Sequence, residues 1–161
     1  AARANIAPQG SAGEKAMNEN VGVRSLSYRA TKKRRLLPTS GDRLSDSFFR
    51  MIIDVLDSIS VRKTREIYNP KNRHEKNICG IISADREKIY LSTARHQKIK
   101  EPIVSTLIHE ALHVLMPDVR ERYIHRLENI MYIRLTDSQK RYLRVHYIPK
   151  HTIKAQSVDT V

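Results

Sequence analysis

Acidic residues are in short supply: 17 Asp and Glu stand against 30 Lys and Arg, leaving a formal net charge of +13. Cysteine is scarcer still. The single Cys79 excludes an intrachain disulfide, sits in an apolar run as a core residue would, and suits a reducing compartment. No apolar run approaches the ~20 residues needed to cross a bilayer, and no secretory signal is legible. Apolar periodicity is missing from residues 1–43, where Ala, Gly, Asn, Ser and Arg dominate and no core can form.

These absences divide the chain. Its 161 residues, 40% hydrophobic, support one domain with a core in about two-thirds of the length. The expected organisation is an extended basic N-terminal arm over 1–43, a folded domain over 44–148 and a polar C-terminal tail over 149–161. An arm without a core is expected to be held by partner protein chains. The positive charge is not confined to it: residues 1–44 hold nine basic and three acidic residues, and the remainder 21 and 14. Lys32, Lys33, Arg34 and Arg35, with a second cluster around Lys140, Arg141 and Arg144, are candidates for docking nucleic acid or an acidic protein surface. The plain alternative is a solvated charge run.

What the chain does contain is His109-Glu110-Ala111-Leu112-His113. On a helix the two imidazoles, four residues apart, reach the same side and can share one metal ion. Glu110 lies about 100° round, beside the metal but off its ligand axis, where a general base takes a proton from a metal-activated water. The flanks 103–108 and 114–116 are apolar, as in a buried helix started near Pro102 and ended by Pro117. Two imidazoles and a carboxylate in such a helix are costly unless something fixes and neutralises them. The alternative is a core helix whose histidines merely bond to neighbours.

Three side chains compete to be the third protein ligand. The extended pattern with Gly and His after the second histidine is excluded, because Met116 and Val119 occupy those places. Asp118 is placed to cap a helix from about residue 119, with Glu121 in its first turn. Ile124, Leu127, Ile130 and Met131 fall at helical spacing from Glu121, near the buried face. His125, one turn on, is the alternative third ligand or a partner of Glu121; Glu128, two turns on, ranks last and reads best as a solvated helix charge. Zinc suits such imidazole and carboxylate ligands, although other divalent ions do too.

The helix LIHEALHVLMPD, followed by Glu121-Arg122-Tyr123-Ile124-His125-Arg126-Leu127, resembles small zincin-type metallopeptidases often encoded by bacteriophages, distantly similar to the SprT-like and ImmA/IrrE-like groups. The resemblance covers residues 45 to 133. It implies a strand, the metal helix, a short connection and a following helix, with ligands His109, His113 and Glu121 and with Glu110 as base. In zincins the strand before the metal helix lies at the sheet edge over the cleft, which implies that Ile89, Tyr90, Leu91 and Ser92 bind an extended substrate there.

Upstream patterns fit an α+β, minimal zincin-like domain: helix, small β-sheet, metal helix, following helix. Phe48, Phe49, Met51, Ile52, Ile53, Val55 and Leu56 give a helix over 47–58, capped by Ser45-Asp46. Short strands are expected at 65–69, 78–83 and 88–92, the last two joined by the turn 84–87. Thr136-Asp137 caps a final amphipathic helix carrying Tyr142, Leu143 and Val145. Tyr123, His125 and His96 are candidate oxyanion stabilisers; His74, His146 and His151 read as surface residues.

The function expected is therefore that of a zinc-dependent peptidase, bound within a larger assembly through its basic arms and located in the cytoplasm or a virion. A component of a virion or nucleoprotein assembly, with a structural or vestigial metal site, is the alternative. Constant integer copy number per particle would favour that alternative, and sub-stoichiometric recovery the enzyme. A nucleic-acid binder that uses the metal only for folding is a third possibility, and predicts affinity that falls steeply with salt.

Overall fold

Asp42 starts the first helix: its carboxylate accepts from the amides of Leu44 and Ser45 at 3.3 and 3.2 Å. The computed structural model describes residues 36–68, 78–100, 102–154 and 156–157. The proposed docking cluster Lys32 to Arg35, residues 1–35 of the N-terminal arm and His74 lie outside the described residues. Within them, the chain is α+β, with five helices and a three-stranded sheet.

Helix α1 (Arg43–Ser58) buries Ser45, Phe49, Ile52, Ile53 and Leu56, the i, i+4, i+7 stripe of an amphipathic helix. It begins earlier than the sequence suggested because two aspartates compete within one turn. Asp42 takes the cap, while Asp46 turns sideways to accept from the Ser40 amide (2.7 Å), the Ser40 hydroxyl (2.8 Å) and Gln139 Nε2 (2.9 Å).

The sheet has the order β1 (Ser60–Thr64), β4 (Lys88–Ser92), β3 (Gly80–Ile82). Strands β1 and β4 are parallel, with Ser60 opposite Lys88 and Thr64 opposite Ser92; β3 runs antiparallel to β4, with Ile82 opposite Ile89. The expected strand 88–92 is present, but at the centre of the sheet. Both of its edges are already paired, and Ile89 and Leu91 are fully buried. Residues 89–92 therefore cannot receive a substrate strand; among the described residues, the unpaired strand edge beside Glu110 is that of β3.

The polar tail is not free. Ile153 bridges Thr64, with its amide donating to Lys63 O (2.8 Å) and its carbonyl accepting from the Arg65 amide (3.1 Å). Beyond it β5 (Gln156–Ser157) pairs in parallel with β2 (Ile67–Tyr68). The folded part thus runs past the boundary expected at 149.

Helix α2 (Thr93–Ile99), capped by Ser92, was not foreseen. Helix α3 (Ile103–Leu115) is the central helix, packed against α1, α4, β3 and β4, with Val104, Leu107, Ile108, Ala111 and Leu112 in the core. After the break at Met116-Pro117-Asp118, α4 (Glu121–Arg134) begins with Glu121 itself as its first residue. Arg120 holds the cap position without a side-chain bond, so Asp118 is not the cap that the sequence suggested. The capping box at Thr136 and Gln139 starts α5 (Asp137–Tyr147) as expected; Leu143 is buried, but Val145 is exposed. Among the described residues, no helix is long and apolar enough to cross a membrane.

Candidate metal centre

Two helices build the site. His109 and His113, one turn apart on α3, bring their Nε2 atoms to 3.1 Å. Glu121 opens α4 opposite them, with Oε1 3.1 Å from His109 Nε2 and Oε2 2.9 Å from His113 Nε2. The short connection between the helices places Glu121 there: with only 116–120 between them, the first residue of α4 must face the last turn of α3.

Glu128, expected in solvent, is 5% exposed and lies behind the ligands. It accepts from Ser105 Oγ at 2.6 Å and lies 2.9 Å from His109 Nδ1. The burial of its carboxylate is offset by these bonds and by His125, which hold its pKa below the ordinary value. Burial alone would lower the His109 pKa, but the Glu128 bond and the charges of Glu110, Glu121 and Glu128 outweigh it and raise the value. At His113, burial and the charge of His109 push the pKa down.

This arrangement passes a chemical test for a cation. An ionised Glu128 can only accept, so the Nδ1 of a neutral His109 carries the proton and its Nε2 carries a lone pair. That lone pair points at Glu121, another acceptor. Facing acceptors repel unless a proton or metal ion lies between them. The separations of 2.9 to 3.1 Å among the three groups are close to the ~3.3 Å edge of a tetrahedron with zinc bonds of about 2.0–2.1 Å. His109, His113 and Glu121 thus fit a divalent ion.

His125 lies across from them, with Nε2 3.1 Å from Glu121 Oε1 and Nδ1 3.3 Å from Glu128 Oε2. A neutral imidazole has one N–H and serves only one of these carboxylates at a time. His109, His125 and Glu128 also meet the distance requirement for a metal. That set lacks any group on the open cleft, whereas His113 lines it.

The cleft, about 230 Å³, is lined by Ile82, Ser83, Arg86, Glu110, His113 and Pro117. Glu110 is 6% exposed; burial, assisted by the charges of Glu121 and Glu128 and opposed by that of His109, raises its pKa to about 7. Strand β3 comes so close that a Cβ on Gly80 would lie 2.7 Å from Glu110 Oε1 and 2.5 Å from Thr106 Cγ2. Gly80 therefore sets the approach of the sheet to the carboxylate.

The sequence brought His109, Glu110, His113 and Glu121 forward, and the fold gathers them with His125. It did not single out Ser83, Arg86, Ser105 or Gly80. The one available signal was a glycine inside an apolar strand, which often marks close backbone approach. His96 is buried on α2 and is not among the cleft residues; Tyr123, 42% exposed, accepts from Arg122. No protein-family model, curated protein or solved structure matches the chain, so any assignment rests on the chain's own residues.

Proposed function

We propose that the chain is a zinc-dependent peptidase of zincin-like fold. The supporting observation is that His109, His113 and Glu121 converge to within 3.1 Å while Glu110 and His113 border the same cleft. Bound zinc would polarise a substrate carbonyl and acidify water. His109, His113 and Glu121 would hold it, and Glu128 would fix the ring of His109. Glu110 takes the proton of the attacking water on its carboxylate and returns it to the leaving nitrogen. Its place on the cleft wall beside His113 suits both steps. The exposed edge of β3 is the place for an extended substrate to add by backbone hydrogen bonds.

Elemental analysis tests this directly. One zinc per chain is expected in wild type and in Glu110→Gln, and loss of zinc in His113→Ala and Glu121→Ala. Freshly purified wild type without metal would sink the proposal. The charge of +13 favours an anionic neighbour, and the peptidase is proposed to work bound within a larger assembly. The same charge supports a second reading, a structural component of a virion or nucleoprotein assembly. That reading predicts full zinc occupancy with no turnover on any peptide.

A further inference from the structure

One wall of the cleft is cationic, and hydrolysis as proposed makes no use of it. Arg86 lines the cleft together with Glu110 and His113. It sits in the turn between β3 and β4 at φ 55°, a left-handed conformation uncommon for arginine. The turn is closely tied: the Arg86 amide donates to Ser83 O at 2.8 Å, Ser83 N donates to Lys88 O at 2.9 Å, and Lys88 N donates to Ser83 Oγ at 3.0 Å. The base of the arginine is thus fixed even though its side chain is exposed.

Of the two adjacent acids, Asp85 is already engaged, and Glu87 forms no ion pair with Arg86 among the described residues. Asp85 accepts from Ser83 Oγ and from the Glu87 amide (3.0 Å), and lies 3.5 Å from Lys88 Nζ. Among the described residues Arg86 has no ion-pair partner. A guanidinium offers a planar fork of donors that matches a carboxylate, and it stands at the mouth of a cleft whose other charged wall is the base. At about 230 Å³ the cleft is smaller than the ~300–1,000 Å³ of small-molecule pockets, a size for one residue of an extended chain.

We propose that Arg86 anchors a carboxylate-binding subsite, so that the substrate carries an anionic group beside the bond that is cut. This rests on the peptidase reading above. The carboxylate comes either from an acidic side chain or from the C-terminus of the substrate, and the chemistry at Arg86 is the same for both.

The test uses full-length, zinc-loaded Glu110→Gln, which holds peptides without cutting them, with and without Arg86→Gln. Three sets of acetylated apolar hexapeptides are titrated by calorimetry. One set carries a single Glu, scanned along an amidated chain; one has no Glu and a free C-terminal carboxylate; one has neither. One charged set should bind about 10- to 100-fold more tightly than the neutral set, and which one does so names the source of the carboxylate. Arg86→Gln should abolish that preference. Equal affinity for all three sets, no binding, or a preference that survives Arg86→Gln would overturn the subsite. Turnover by the wild type is read separately. Selective binding without cleavage removes the peptidase reading and leaves the subsite; cleavage without charge preference does the reverse.

Discussion

Glu128 Oε2 and His109 Nδ1 lie 2.9 Å apart, a hydrogen bond that crosses from α4 to α3 and decides which nitrogen of the imidazole faces Glu121. Because Ser105 holds the other oxygen of the same carboxylate at 2.6 Å, the acceptor itself cannot swing. The tautomer of His109 is therefore set by packing between two helices.

Glu128→Ala should weaken zinc binding about 10- to 100-fold, measured by competition with a chromophoric chelator. Glu128→Gln keeps an oxygen acceptor and should lose less. Wild-type affinity in Glu128→Ala would mean that the ring of His109 needs no orienting partner.

Glu110→Gln should retain zinc but lose about 10²- to 10⁴-fold in kcat. A variant with wild-type kcat would remove Glu110 as the base.

Without metal, Glu110 also carries a pH signature. Its folded pKa is raised, so its contribution to stability is fully present below the unfolded value of 4.5 and is lost as pH rises through about 7. Relative to Glu110→Gln, the wild type should lose on the order of 3 kcal/mol between pH 4.5 and pH 8. Urea titrations in chelator at several pH values check this, and parallel stability profiles would show that the carboxylate ionises normally.

Gly80→Ala places a methyl against Thr106 and Glu110. Overpacking there should cost about 1–3 kcal/mol of stability, read as a lower urea midpoint. Displacement of the base should reduce kcat about 100-fold with zinc content unchanged. A variant as active as wild type would show that the strand can retreat without moving Glu110.

Gln139 is fully buried and joins three segments: it donates to Asp46 Oδ1 at 2.9 Å and to Pro38 O at 3.3 Å, and accepts from the Thr136 amide at 3.0 Å. Gln139→Ala should cost about 1–3 kcal/mol and lower Tm, because it removes the donor to Pro38 O and Asp46 and the capping box. Zinc affinity should not change, since none of these groups touches the metal centre.

How far the sequence carried the site follows from the range of each interaction. His109, Glu110 and His113 lie within one turn, and Glu121 within a short connection, so local geometry was enough to group them. Glu128 was misjudged because its partner Ser105 stands 23 residues earlier on another helix, and no spacing on α4 alone reveals that. Strand β1 escaped notice since Arg62 and Lys63 interrupt its apolar pattern, leaving only pairing with β4 to define it. Lys88–Ser92 was legible as a strand, yet its central position depends on β1, a partner nearly thirty positions earlier. The start of α1 differed for a simpler reason: Asp42 and Asp46 can each cap, and Ser40 together with Gln139, 93 positions later, engages Asp46.

The stitch at Ile153 bears on how the chain is made. Lys63 Nζ donates to Lys150 O across 87 positions, and the Lys63 carbonyl and Arg65 amide bond to Ile153 from either side of Thr64. During synthesis α3 and its neighbours emerge from the ribosome while these backbone groups at the end of β1 still await their partners. The last closure must wait for residues 150–157, and loops that long close slowly compared with helix formation. All the residues of the proposed ion site on α3 and α4 are therefore made before the final strand.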